Sequence, residues 1–542
     1  MKKEHDTQKL NILDCTFRDG GYYNNWHFQE KLVNKYLAAI SKTKVTHVEI
    51  GFRFKSKDGF KGPNAYTSDD YLRRLKIPKE LKIGVMINAS DLVGDLSLID
   101  QLFKLFPEDK STSRIDFVRI ASHYHELEVS FEATILLKQL GFFVGLNLMQ
   151  ISERSEGEIE SFIDRSKKYP IDVLYCADSV GGLEQVDVKN IYKIFLKNCT
   201  HIPYGFHAHD NLHLALLNTG CAMKSGATWL DCTISGMGRG PGNTKTEELL
   251  LEIGAKQGEY SDLTALFELL YDDFYKMKSH YQWGTNIFYY MSGKWSIHPT
   301  YVQVMLSDSR YDALNIISVL EYLRDKPSRT QFISSLLSEN AGENEVSYLE
   351  NWNPSEIFEK KDVLIIGNGQ SIVQYSEEII NYINKYKPIV VALNYNSKFD
   401  FKEIDVRVSS HPLRIHASFD QFLGDDKIIV LPFSSLDDNE LNLVSKNKRF
   451  KNFNVKINQK GYFLDNDKYC EIPSNLTIAY ALGLVSKGKC SQIYVVGIDG
   501  YESGDLRNVE IENIFKLFTN RKITSLTNTN IKGLKVKSIY GF

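Results

Sequence analysis

Residues 202–211 read Ile202-Pro203-Tyr204-Gly205-Phe206-His207-Ala208-His209-Asp210-Asn211, a short apolar run that breaks abruptly into polar side chains. A run of this length, followed by polar residues and then a longer amphipathic stretch, reads as a buried strand feeding a helix. Working outward from it, comparable runs recur at 11–14, 46–51, 82–88, 116–121, 142–149, 172–177 and 228–233, with Lys/Glu-rich segments suited to surface helices between them. Alternating strands and helices require a parallel sheet. Eight such units within about 230 residues fit a closed (β/α)8 barrel of the TIM type, in the α/β class, better than an open sheet with one or two runs miscounted. In such a barrel the chemistry lies where strands end and βα loops begin.

The whole chain has 542 residues, enough for two to four domains, with 65 Lys+Arg against 68 Asp+Glu and a formal net charge of −3. Its 43% hydrophobic and 25% charged residues are those of a globular protein, and no run of about 18 apolar residues could span a bilayer. Interspersed charge gives no broad footprint for a nucleic-acid backbone, so the expected partners are small molecules. Seven cysteines without a CxxC pair indicate free thiols in a reducing compartment. The opening MKKEHDTQKLN lacks the apolar core of a signal peptide, so a cytoplasmic location is expected.

Four strand ends are rich in chemistry-bearing residues. After the first run comes Asp14-Cys15-Thr16-Phe17-Arg18-Asp19-Gly20-Gly21-Tyr22-Tyr23-Asn24-Asn25-Trp26, where a glycine pair turns the chain and leaves Arg18 and Asp19 at the barrel mouth, as a solvated brace or a catalytic pair. The alternation of His207 and His209 puts two imidazoles on one face of a strand, spaced to satisfy hydrogen bonds at a strand end or to reach one metal ion, for which Asp19 is the best carboxylate partner. Ser235-Gly236-Met237-Gly238-Arg239-Gly240-Pro241-Gly242-Asn243-Thr244 is a flexible loop or a close-approach site for a phosphate. Asp178 and Ser179, in Cys176-Ala177-Asp178-Ser179-Val180-Gly181-Gly182, either cap the next helix or bind a substrate's polar groups.

Taken together and in this order, DCTFRDGG, ADSVGGL, FHAHDNLHLALLNT and DCTISGMGRGPGNTKTEELL resemble the metal-dependent pyruvate-aldolase and acyl-lyase superfamily of TIM barrels, which includes 4-hydroxy-2-oxovalerate aldolase, hydroxymethylglutaryl-CoA lyase and 2-isopropylmalate synthase. The resemblance covers residues 10 to about 300. It implies that Asp19, His207, His209 and Asn243 bind a divalent ion, Mn²⁺ or Mg²⁺. It implies further that Arg18 stabilises an enolate oxygen, that Ser179 meets a ketoacid carboxylate, and that the barrels pair as a homodimer. Glu49, in VEIGFR, is a substrate contact or a brace, and Asp178 a further substrate contact. The chain departs from the ketoacid aldolases where these carry a histidine two residues after RDG; here stands Gly21-Tyr22. Tyr22, Tyr23, His27, His298 and Tyr301 are then the candidates to carry the proton, with Tyr22 and Tyr301 assigned as catalytic. The acidic-Gln pair of the synthase branch is missing, which favours a ketoacid aldolase over an acyl-CoA lyase or Claisen-type synthase; a non-catalytic binding protein is the third reading. Tyr22 to Trp26 suit a sugar-like aldehyde.

Residues 301–361 read as a helical extension and linker, with the boundary in the acidic stretch 338–361, and 362–542 as a second domain. Asp362-Val363-Leu364-Ile365-Ile366-Gly367-Asn368-Gly369-Gln370-Ser371 is a strand running into a glycine turn before a helix, and further strands at 389–394, 406–409, 428–431 and 493–498 predict a Rossmann-like doubly wound sheet. IGNGQS, ALNYN, SSHP and IAYALGLVSKGKCSQIYVVGIDGY resemble the sialyltransferase and motility-associated glycosyltransferase-like domains. That resemblance implies nucleotide contacts from Gly367, Asn368, Gly369, Ser371 and Asn394, with Asp499 near a sugar, and a role in surface polysaccharide biosynthesis. The alternative is a scaffold in which Asn368 and Ser371 cap a helix. The stretch 446–456, KNKRFKNFNVK, reads as a solvated basic loop.

Overall fold

The computed structural model describes residues 10–55, 59–94, 96–198, 201–307, 311, 313–333, 350–395, 401–458, 469–474, 476–501, 506–518 and 523–541. These form two compact units, one of residues up to 312 together with 323–332, the other of 313–322 together with 333 onward. Most of the expected boundary, 338–349, lies outside the described residues. Among them, no helix is long and apolar enough to cross a membrane. Six described cysteines are buried free thiols.

The first unit is a closed barrel of eight parallel strands in chain order: β1 Asn11–Asp14, β2 His47–Phe52, β3 Lys82–Asn88, β4 Phe117–Ser122, β5 Phe143–Leu148, β6 Val173–Asp178, β7 Tyr204–Ala208 and β8 Trp229–Cys232. Each coincides with an expected run to within a residue or two. Closure is made by β8 pairing with β1, Asn11 opposite Trp229 and Asp14 opposite Cys232. The strands are apolar on both faces because one packs on the helical ring and the other fills the barrel.

The filling of the barrel is partly charged. Glu49, Arg119, Tyr175 and Asp231 come from β2, β4, β6 and β8, so alternate strands supply one layer of four side chains. Arg119 Nε and Nη2 each donate to Glu49 at 2.7 Å, its Nη1 donates to Asp231 at 2.7 Å, and its guanidinium lies 4.5 Å from the Tyr175 ring centre. Space for these large groups comes from glycines on odd strands: a Cβ on Gly205 would lie 2.3 Å from the Tyr175 ring.

After the barrel come helices Thr264–Leu269, Tyr275–Tyr281, Ile287–Lys294 and Thr300–Leu306, as the three-and-four spacing predicts. The segment Pro327–Thr330 returns to the first unit, with His298 N–H donating to Arg329 O at 2.8 Å and Gln150 Nε2 to Thr330 O at 2.6 Å.

The second unit holds an eight-stranded parallel sheet. Its strands are β9 Val363–Ile366, β10 Ile389–Leu393, β11 Val406–Val408, β12 Ile428–Leu431, β13 Phe450–Asn452, β16 Ile493–Val496, β17 Ile523–Ser525 and β18 Lys535–Val536, while β14 Val455–Ile457 and β15 Cys470–Ile472 pair separately. The order is 13-12-11-10-9-16-17-18, so the chain reverses its direction of growth at β9. Val363 and Ile365 enter one apolar core and Leu364 and Ile366 another, so both faces of the sheet are covered. The reading of 446–456 as a solvated loop is corrected: 450–452 form β13, paired with β12 through the backbone, with Phe450 and Asn452 buried and Lys451 between them less so.

Candidate active site

The site forms at the carboxyl ends of the barrel strands. Asp19 belongs to a short helical turn, Thr16–Asp19, that follows β1 directly; His207 lies in β7 and His209 just beyond it. One ligand atom each from Asp19, His207 and His209 lie within 4.8 Å of one another, all three residues buried. Asn243 closes the group, its Nδ2 donating to Asp19 Oδ2 and lying 3.2 Å from His207 Nε2.

Electrostatics prepare the cluster for a cation. Burial alone would push the Asp19 carboxyl up, but the Arg18 guanidinium at 3.0 Å and the histidines hold it well below the usual carboxylate range. His209 is driven well down by burial and by the Arg239 charge, and is a neutral imidazole. His207 is also desolvated, yet its bonds to Asp19 and Asp231 raise it. Asp231 accepts from His207 Nδ1 at 2.9 Å, which turns Nε2 toward Asp19, and is itself held by Arg119. A carboxylate–imidazole pairing of this kind fixes the orientation of the ring.

Polar atoms left without partners mark where a ligand fits. His209 Nδ1, Asn243 Oδ1 and Arg18 Nη2 are buried and unpaired among the described residues, and a buried polar atom without a partner costs free energy that a ligand recovers. Two histidines and a carboxylate, with the Asn243 amide beside them, form a mixed nitrogen and oxygen donor set of the kind that suits a divalent cation with open positions. A rival grouping, Cys15 with His207 and Asp231, does not fit: Asp231 Oδ2 is shared by Arg119 and His207, and burial pushes the Cys15 thiol well up. The grouping of His416, Asp437 and Glu440 in the second unit is a helix cap, Asp437 and Glu440 binding each other's backbone N–H.

For Glu49 and Asp178 the structure shows the structural one of the two readings that the sequence leaves open. Glu49 is fully buried with its oxygens taken by Arg18 Nε and by Arg119, so it braces the two guanidiniums. Asp178 accepts from the backbone N–H groups of Gly181, Gly182 and Leu183 and pins its own loop; burial pushes its carboxyl up to about 6 against those bonds. Ser179 faces the mouth, its hydroxyl accepting from Gln150 N–H at 3.1 Å.

The aromatic loop is corrected as well. Trp26 is buried against Phe52 and Phe54 with its Nε1 donating to Arg18 O, and Tyr23 donates to Gly240 O at 3.0 Å, so these rings build the rim. Tyr22 keeps 42% of its surface exposed, its ring edge-on to Trp26. Tyr301 is buried against Phe332 at 5.0 Å between ring centres, while the Tyr289 ring, also buried, stands against Gly240 in the loop after β8. His27 sits in the outer loop beside Phe60. Arg119, Asp231, Arg239 and Tyr289 were not singled out by the sequence. The first two carry a signal, a charge at an inward position of an apolar strand.

In the second unit, Gly367 and Gly369 donate their N–H groups to Val496 O and Gly497 O at 2.9 Å, while Ser371 donates from both N–H and hydroxyl to Asp499. These groups tie the turn to β16 and are not a free phosphate cradle, and Asn368 is exposed. Asn394, with φ +59°, accepts from Ser409 and Thr477.

Comparison with known proteins places the barrel. Residues 112–270 match the HMGL-like family. The chain is 30% identical over 270 residues to a 4-hydroxy-2-oxovalerate aldolase of Pelotomaculum thermopropionicum, covering 48% of this chain and 74% of that protein. It is 25% identical over 258 residues… to an aldolase of the same description from Bacillus cereus, and 25% identical over 266 residues to an oxaloacetate decarboxylase of Mycobacterium tuberculosis, the latter covering 48% of this chain and 75% of that one. Among solved structures, the N-terminal domain of a putative aldolase from Bacteroides vulgatus is 34% identical, with a TM-score of 0.51, covering 56% of this chain and 98% of that domain. With eight parallel strands closed in order, a buried acid–imidazole cluster at their carboxyl ends and a relative matched over most of its length, the chain belongs to the HMGL-like family and is a metal-dependent carbon–carbon lyase.

Proposed function

We propose that the barrel makes or breaks a carbon–carbon bond between an aldehyde and the enolate of pyruvate or a closely related 2-oxo acid. The observation that carries this reading is the convergence of Asp19, His207, His209 and Asn243 beside the unshared Nη2 of Arg18. A divalent cation, Mn²⁺ or Mg²⁺, held by these four residues would supply Lewis-acid polarisation of the ketoacid. Relatives named for 4-hydroxy-2-oxovalerate and oxaloacetate favour a 2-oxo acid over an acyl-CoA.

The residues divide the work as follows. Arg18 is clamped by Glu49 at Nε and Asp19 at Nη1, so Nη2 is aimed at the oxygen on which charge develops as the α-proton leaves. Ser179 accepts from Gln150, which leaves its O–H to donate to the ketoacid carboxylate. His298, kept neutral by burial and by the Arg239 charge, accepts a proton, and the Tyr289 phenol, pushed up by burial, donates one to the alkoxide. Tyr22 guards the exposed side of the mouth.

The test is NMR of pyruvate methyl-proton exchange in D₂O, with and without Mg²⁺ or Mn²⁺, in wild type, Asp19→Asn and His207→Ala. Metal-dependent exchange that drops by about 100-fold or more in both variants supports the reading. Metal bound without exchange in the wild type turns it toward acyl-CoA chemistry.

For the second unit we propose a ligand site at the carboxyl ends of β9, β10 and β16, where the strand order reverses, as open parallel sheets bind ligands there. A nucleotide or nucleotide sugar is the class tested first. A thermal-shift series with CMP, UDP and ADP checks it; no shift from any of them, beside an unchanged fold, removes the nucleotide reading.

A further inference from the structure

Arg239 stands in the loop after β8 between two glycines that have no room for a side chain. A Cβ on Gly238 would lie 2.2 Å from Asn243 Oδ1 and 3.2 Å from Asp19 Oδ2, so the backbone there forms a wall of the acid–imidazole cluster. A Cβ on Gly240, whose φ is +60°, would lie 2.9 Å from the Tyr289 ring, and the Gly240 carbonyl is held by Tyr23 and by Gly284 N–H. Arg239 is therefore anchored on both sides. Its Nη2 donates to Ser179 O at 3.1 Å, so the guanidinium spans from the β8 loop to the β6 loop.

What distinguishes this arginine is the lack of a counter-charge. Arg18 is paired with Asp19 and Glu49, Arg119 with Glu49 and Asp231, and Arg53 with Asp69. Among the described residues no carboxylate lies within 4.0 Å of Arg239, and its Nε is buried and unpaired. The side chains set against the adjoining Gly240 are phenols, Tyr23 donating to its carbonyl and the Tyr289 ring standing where a Cβ would be. A guanidinium kept partly desolvated presents a planar fork suited to a carboxylate or phosphate.

We infer that Arg239 binds an anionic group, a carboxylate or a phosphate, carried by the aldehyde partner of the enolate. The ketoacid already has Arg18 and Ser179 beside the acid–imidazole cluster, whereas Arg239 adjoins Gly240 and the rim phenols of Tyr23 and Tyr289. This assignment rests on the aldolase reading above and narrows it to one class of aldehyde.

The test compares aldehydes in pairs, using the full chain loaded with Mg²⁺ or Mn²⁺ and pyruvate as the donor: succinic semialdehyde against butanal, and glyceraldehyde 3-phosphate against glyceraldehyde. The wild type is expected to favour the charged member of one pair by about 10- to 100-fold in kcat/KM, the range of a charge-assisted contact, and the pair that responds tells carboxylate from phosphate. In Arg239→Gln the ratio falls toward one, chiefly through KM for the aldehyde, and Arg239→Lys keeps part of it. A ratio within one protein does not depend on how much of it is folded. A wild type indifferent to charge, or an R239Q that keeps the wild-type ratio, overturns the inference, as does an R239Q whose loss lies wholly in pyruvate proton exchange. Lack of exchange in the wild type is a separate result, in which the aldolase reading falls and takes this inference with it.

Discussion

Arg119 enters the barrel from β4 and donates to Glu49 on one side and Asp231 on the other, with no solvent near any of the three. Removing it leaves Glu49 with Arg18 alone and Asp231 with His207 alone, two buried carboxylates short of a cation. Arg119→Met is expected to cost about 3–5 kcal/mol in urea unfolding, and lysine cannot rescue it because one ammonium does not reproduce the fork. Asp231→Asn weakens the hold on the His207 ring while leaving the barrel wall intact. Metal affinity then falls by about 10- to 100-fold, read by titration of the purified protein. Asp178 gives a pH signature: its unfolded pKa is 3.8 and its folded value about 6, so the native state binds more protons between them. The stability it contributes is therefore present below pH 4 and declines as pH rises to about 6, by roughly 3 kcal/mol. Thermal melts of wild type and Asp178→Asn at pH 4.5 and 6.5 check this; the gap between the two proteins must shift in the mutant's favour at the higher pH.

At the scale of elements, the loop after β8 decides the site. Ser235, Gly236, Gly240 and Gly242 all have positive φ, which folds the loop back so that Asn243 pairs with His209 as an isolated bridge. A methyl on Gly238 must displace the Asn243 amide. Gly238→Ala is expected to melt close to wild type yet lose metal on dialysis, and metal retention equal to wild type would show that Asn243 is not a ligand. β13 teaches a different lesson about elements. The lysines around it resemble a surface loop, yet the alternate Phe450 and Asn452 are buried, and a period of two is hard to see in a three-residue strand.

The whole molecule divides so that residues 323–332 belong with the barrel unit. Arg324 stacks over Trp295, Arg329 donates to Trp295 O, and His298 donates to Arg329 O, which ties this strap to the helices beside the mouth. A chain ended after residue 332 is expected to keep metal-dependent pyruvate exchange within about twofold of the full chain, whereas one ended after 300 melts lower and loses exchange through His298. A truncated barrel without exchange would mean that the second unit takes part in the chemistry.

Much of this protein is legible in its residues. Eight apolar runs at even spacing predict the barrel, because each strand must be buried on both faces whatever the loops do. The gathering of Asp19, His207 and His209 is equally readable, since closure of the barrel brings the ends of β1 and β7 to one rim. Tertiary structure alone decided the partners. Glu49 is a brace because Arg119 reaches it from 70 residues away, the helices after the barrel set the Tyr289 ring against Gly240 and the Tyr301 ring against Phe332, and among the described residues no carboxylate pairs with Arg239 because the acids of the mouth are taken by Arg18 and Arg119. Local sequence sets which faces are apolar and where the chain turns; which charges meet in a low-dielectric interior depends on contacts between distant segments, and these exist only once the chain has closed.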